Sequence, residues 1–308
     1  MKRIRKCLAG DIIHVYQRAV YGYNLFYALE DRVVFLTMLY HFSRRWNIKI
    51  LGVCLMVDHV HILLIAESKS ALSSFVNSYS SMYAKMFNAS CGRMGQLFAK
   101  SFGSAPKVGD KKIRTAIAYL FNNPVEKKMC TRAEEYIWSL LAFANSSCPF
   151  SAPVHRKSKW LSYAMKEVCK CFDNESYLTY SILKRIMRRL STTEIEQLTD
   201  YIISLFNPID YAALSGYYGT YENMLIAINS NTGSEYDIKE EYNSYSDYVY
   251  YRVIDFMSKS LKLDIKRVLS YTDEEKIKLA MALKLRVNVT DRQLCKLLHI
   301  KARECVSG

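Results

Sequence analysis

The chain has little glycine and less proline, 11 and 5 in 308 residues, which excludes collagen-like and linker-type architectures. No run approaches the ~18 apolar residues of a membrane helix. No secretory signal opens the sequence. The nine cysteines, odd in number and scattered from Cys7 to Cys305, are therefore expected as reduced thiols of a cytoplasmic protein. Acidic residues are scarce in one half only. Residues 1–160 hold 23 Lys/Arg against 9 Asp/Glu, an excess of 14, whereas residues 161–308 hold 20 of each. Apolar residues are plentiful, half of the total, which excludes disorder and supplies a core for one large domain or two ordinary ones. A basic half joined to a neutral half points to a polyanion. Nucleic acid ranks before a membrane surface, because the basic segments are not long amphipathic helices.

The pattern along the chain alternates between strand and helix. Asp11–Tyr21 alternates and is β-branched, so a strand is predicted. Leu29–Trp46 has helical spacing with Arg44 and Arg45 at its C-terminal end. Ile48–Ile65 is long enough for two strands, broken near Val57–Asp58 or at Gly52. Ser70–Asn88 is predicted helical, and Cys91–Asp110 a loop with a short strand around Gln96–Phe102. Lys111–Asn123 is a further helix, stopped by Pro124. This order suggests an α+β fold over residues 1–150: a ferredoxin-like antiparallel sheet with helices on one face. Ser146–Lys159 reads as a linker. Residues 160–308 read as mainly helical, with a capping box at Ser191–Glu194, a polar Tyr-rich loop over Ser230–Asp247, and helices at Thr272–Leu285 and Thr290–Leu298.

Two places could carry chemistry. His59-Val60-His61 lies in an apolar strand, where residues two apart share a face. Both imidazoles then stand side by side, the arrangement for two neutral nitrogens on one divalent metal. The plain alternative for a bare H-x-H is a structural pair. Tyr119 lies on the flank of its helix rather than on the apolar stripe of Ile113, Ala116, Ile117 and Leu120, with Asn123 one turn further on. Since the chain has 24 tyrosines, composition alone favours an ordinary half-buried aromatic there.

Taken in order, the segments resemble the single-tyrosine HUH transposases, most closely the REP-associated tyrosine transposases, over about residues 8–140. The resemblance runs through His14-Val-Tyr-Gln-Arg18, the helix around Val33–Leu39, Met56-Val-Asp-His-Val-His61, the helix Ser73–Asn88 and Gly95-Gln-Leu-Phe-Ala-Lys-Ser-Phe102. It ends with Tyr119-Leu-Phe-Asn-Asn-Pro-Val125 and Tyr136-Ile-Trp-Ser139. It implies that His59 and His61 bind Mg²⁺ or Mn²⁺, that Asn123 supplies a third ligand, and that Tyr119 attacks a phosphodiester in single-stranded DNA. The expected activity is a metal-dependent DNA transposase that cleaves and rejoins hairpin-bearing or palindromic single strands through a 5′-phosphotyrosine. Arg18, Lys107, Lys111, Lys112, Arg114, Lys127 and Lys128 are the expected phosphate contacts. A relaxase or replication-initiator nuclease and a domesticated, non-cutting DNA-binding protein are the alternatives.

The resemblance leaves monomer and homodimer open, implies no membrane partner, and fits a nucleoid-associated protein of a prokaryotic cytoplasm. In the second half, residues 273–306 resemble a helix-turn-helix, with Thr290 as N-cap and a turn near His299–Ile300. A plain helical bundle serving oligomerisation or autoregulation is the rival reading.

Overall fold

Alternating β-branched and polar residues produce β1 (Ile12–Arg18), the centre of an open antiparallel sheet. The computed structural model describes residues 10–99, 102–230 and 246–301. After β1 come α1 (Leu29–Arg45), the hairpin β2 (Lys49–Leu55) and β3 (His59–Ile65), α2 (Lys69–Cys91), β4 (Gly103–Lys107) and α3 (Asp110–Glu126). The sheet order is β2-β3-β1-β4, and every pairing is antiparallel. Both breaks considered for Ile48–Ile65 have a counterpart. The chain turns over Met56–Asp58, closed by the Met56 amide donating to the His59 carbonyl at 2.9 Å. Between Ile50 and Gly52 the register shifts, a bulge in β2.

Two local expectations need correction. The fourth strand is Gly103–Lys107 rather than Gln96–Phe102; among the described residues of that segment, Phe98 forms a bridge to Ala19. Glycine and Pro106 mask the strand in sequence, but an edge strand tolerates both. Pro124 does not stop α3, which continues to Glu126. In the last turn it removes a single helical bond, and the helix closes beyond it through the Lys127 amide on the Asn123 carbonyl at 3.0 Å.

The second half is helical as expected: α4 (Lys159–Asp173), α5 (Tyr180–Met187), α6 (Thr192–Leu205), α7 (Tyr211–Gly216), α8 (Tyr221–Asn229), α9 (Tyr248–Ser260), α10 (Ile265–Val268), α11 (Asp273–Lys284) and α12 (Asp291–Leu298). Ser191 caps α6 with the predicted box, and Thr290 caps α12 in the same way with Gln293. Most of the predicted Tyr-rich loop (231–245) and the segment after residue 301, which would hold the second helix of the helix-turn-helix, lie outside the described residues. No helix among the described residues is long and apolar enough to cross a membrane.

The helices flank the sheet, making a ferredoxin-like core with a largely helical region after it. One apolar cluster runs from Ile12 to Ile300, so the second half packs on the first. The Asp210 amide donates to the Ile50 carbonyl at 3.0 Å, and the buried carboxylate of Asp31 takes both the Tyr180 hydroxyl at 2.8 Å and Lys266 at 2.5 Å. Six described cysteines are free thiols.

Candidate active site

The two faces of β3 differ in kind. Val60, Ile62 and Leu64 point into the apolar core, while His59, His61 and Leu63 point the other way. Opposite them on β1 stand Arg18, Tyr16 and His14, in register with His59, His61 and Leu63 respectively. Helix α3 lies against this second face. Gly52 makes that approach possible: a Cβ there would sit 3.2 Å from the ring of Phe121.

The approach brings Tyr119 onto the histidines. Its ring meets His61 edge-on at 5.4 Å between centroids and His14 at 5.8 Å. His59 and His61 lie 4.8 Å apart with perpendicular rings. All are nearly sealed: His59 is 2% exposed, His61 0% and Tyr119 3%. Tyr119 was expected half-buried on a helix flank. It is buried because its ring turns to the sheet and lies against His61 and His14. Asn123 is buried too, and its Nδ2 donates to the Tyr119 carbonyl at 2.8 Å, which turns its Oδ1 away from that carbonyl.

Each histidine is held through one nitrogen. His61 Nδ1 lies 3.0 Å from Nε2 of His14, a partner that the H-x-H motif alone did not identify. His59 Nδ1 lies 2.5 Å from Asp58 Oδ1. An ionised carboxylate only accepts, so Nδ1 donates the proton of this bond, and in the neutral ring the lone pair is then on Nε2. That Nε2 is buried with no hydrogen-bond partner among the described residues. Burial, reinforced by the charge of Lys107, pushes His14 down to about 3. Burial and the neighbouring imidazoles hold His61 well below its ordinary value. Both are neutral at physiological pH. For Asp58 burial alone would raise the pKa, but His59 and Lys296 more than offset it and hold the carboxyl well below the usual range.

Asp58 and Lys296 are neighbours of His59 that sequence reasoning missed. Asp58 was legible beside His59; Lys296 was not, because it lies on α12. Asp247 at the start of α9 is a third, pushed up to about 6 by burial and by the charge of Asp58.

The expected phosphate contacts form a track rather than one cluster. Arg18 ends β1 opposite His59, its guanidinium 5.0 Å from the Tyr16 ring centroid. Lys107 ends β4 and acts electrostatically on His14. Lys111, Lys112 and Arg114 are exposed on the first turns of α3, and Lys127 and Lys128 follow its end. At 1.5 Å per residue the two ends are about 24 Å apart, with Tyr119 between them. Among the described residues, no three His, Cys, Asp or Glu side chains converge as a metal cage. The donors expected from the sequence are two imidazoles and an amide, an incomplete set of the kind that leaves positions for water and substrate oxygens. The buried lone pair at His59 Nε2 fits a cation there.

Residues 11–123 match the family model described as IS200-like transposase, a span that contains His59, His61, Tyr119 and Asn123. A solved structure of a REP-associated tyrosine transposase bound to a REP hairpin aligns at 13% identity with a TM-score of 0.41, over 51% of this chain and 95% of that one. No curated protein matches the chain.

Proposed function

We propose that residues 11–123, which match the IS200-like transposase family model, form a single-tyrosine, HUH-type domain, and that the chain is a metal-dependent DNA strand-transferase. The observation that carries the proposal is the edge-on contact of Tyr119 with His61, which joins the one tyrosine of the motif to the histidine pair of a different element. A phenol titrates near ~10, so Tyr119 is a weak nucleophile in water and needs charge drawn from the phosphate it attacks. His59 and His61, with Asn123 Oδ1, would hold Mg²⁺ or Mn²⁺. When bound, the ion supplies Lewis-acid stabilisation of the scissile phosphate and of the departing oxygen.

The chain's own residues account for the rest. Asp58 and His14 orient the two imidazoles through Nδ1, and burial keeps His14 and His61 neutral. Tyr119 Oη bonds to phosphorus as the bond to the 3′-oxygen breaks; the phenol proton leaves and the 3′-oxygen takes one up. The products are a 5′-phosphotyrosine and a 3′-hydroxyl, and a second 3′-hydroxyl reverses the step without ATP. Lys107, Lys111, Lys112, Arg114, Lys127, Lys128 and Arg18 would track the phosphates of single-stranded, hairpin-bearing DNA.

One observation favours a second reading, a binding protein that does not cut. With His59, His61 and Tyr119 at most 3% exposed, a phosphodiester reaches the tyrosine only if its cover is displaced. Incubation with labelled hairpin oligonucleotides and Mn²⁺, read on a denaturing protein gel, separates the two. A strand-transferase forms a covalent adduct that Tyr119→Phe, His59→Ala, His61→Ala or EDTA eliminates, while Tyr119→Phe still binds DNA. No adduct from the wild-type chain under any condition leaves the binding protein. Tyr79 and Tyr83 are poor substitutes as nucleophiles, because both are fully buried in the core on α2 and burial raises their hydroxyls.

A further inference from the structure

Helix α12 is tied to the segment between β1 and α1 by four contacts. The Asn24 amide donates to the Lys296 carbonyl at 3.1 Å. The Tyr27 hydroxyl donates to the Leu297 carbonyl at 2.8 Å. His299 Nε2 lies 3.0 Å from the Asn24 carbonyl, and the His299 ring stacks on Tyr23 at 4.4 Å. Docked in this way, the helix sends one long side chain toward the histidines. The stem of Lys296 passes over Gly22, where a Cβ would lie 3.6 Å from Lys296 Cε. Its Nζ ends 2.9 Å from Asp58 Oδ2, while Oδ1 of the same carboxylate holds His59 Nδ1 at 2.5 Å.

A carboxylate gripped on one oxygen by an ammonium and on the other by an imidazole N–H has one orientation left, and so has the ring. We propose that Lys296 is a positioning residue of the metal site. Acting through Asp58, it fixes His59 with its buried Nε2 lone pair presented for the ion, which makes the C-terminal helix part of the active centre. The inference rests on the reading of His59 as a metal ligand. Its chemistry is that of a carboxylate behind a ligating histidine, extended by one further link.

Mn²⁺ titrated into the full-length protein, followed by calorimetry and by the loss of the free-ion EPR signal, tests it without DNA or turnover. Asp58→Asn should weaken Mn²⁺ binding roughly ten- to a hundredfold. Lys296→Met should weaken it less, about three- to tenfold, since it acts one link further out. Lys296→Arg should restore most of the affinity. In the Asp58→Asn background, Lys296→Met should add nothing, because the two act in series. Tyr27→Phe, which removes a tether of α12 without touching Asp58, should lower stability and leave Mn²⁺ affinity alone.

Wild-type affinity in Lys296→Met would overturn the proposal, as would an equal loss in both backgrounds or a matching loss in Tyr27→Phe. If instead His59→Ala binds Mn²⁺ as the wild type does, the reading of His59 as a ligand fails, and the proposal with it.

Discussion

The two halves of the chain divide charge and structure unequally. The first 160 residues hold the whole positive excess, the histidine pair and Tyr119. The second half is electrically balanced, yet its helices complete the core, bury one side of α3 and deliver Lys296 to Asp58. Charge composition separates the halves where packing does not. A region with no net charge can still be part of a site, because a buried ion pair acts at one point while net charge describes a surface.

The largest expected effect tests whether the halves fold as one body. Leu298 on α12 and Ile62 on β3 are both fully buried, and truncating either to alanine should cost about 2–5 kcal/mol. Both variants should shift a single urea transition, seen alike by tryptophan fluorescence and far-UV circular dichroism. A Leu298→Ala protein that melts in a separate, earlier step while the sheet keeps its midpoint would break the shared-core picture.

The next effect should separate the halves again. Removing three exposed charges from α3 (Lys111→Gln, Lys112→Gln, Arg114→Gln) should weaken binding to single-stranded DNA roughly tenfold and flatten its salt dependence, each lost phosphate contact lowering the slope by about 0.7. The same number removed from exposed positions on and just after α5 (Lys184→Gln, Arg185→Gln, Arg188→Gln) should change affinity less than about twofold. Fluorescence anisotropy at two salt concentrations compares them, and the reverse ranking would move the DNA track to the helical half.

The smallest effect concerns the seam. Burial, with the charge of Arg93 adding to it, pushes His299 down to about 3, while the unfolded chain takes up that proton near ~6.5. Between those values the unfolded state binds the proton and the folded state does not. The stability contribution is therefore complete above pH 6.5 and falls as the pH drops toward 3, by about 1 kcal/mol at pH 5.8. Urea midpoints at pH 7.5 and 5.8 measure it. His299→Asn, which suits the left-handed backbone at this position (φ 57°), should remove that share of the pH dependence. An unchanged dependence would assign the proton uptake to other groups.

Much of the fold was legible in local pattern. The helix at Leu29–Arg45, the hairpin around Asp58 and the capped helices at Ser191, Thr272 and Thr290 follow from periodicity and end chemistry, which belong to one segment at a time. The errors fell where context overrides propensity. β4 forms through glycine and proline because it is an edge, and α3 runs past Pro124 because its last turn loses only one bond. Tyr119 is sealed rather than half-buried because its ring lies against His14 and His61, on strands remote from it in sequence.

For the candidate site, the sequence by itself determined that His59 and His61 share a face. Side chains of a strand alternate, and no packing changes that without a slip of register. It also determined where the positive charge resides. Only the tertiary structure decided that Tyr119 meets the pair from α3 while Tyr16 meets it from β1, that His14 backs His61, and that Lys296, 238 residues from Asp58, completes the support of His59. Alternation and helical period are set by backbone stereochemistry within a few residues. The meeting of distant segments is set by the sum of many weak contacts across the core, to which no short stretch of sequence holds the key.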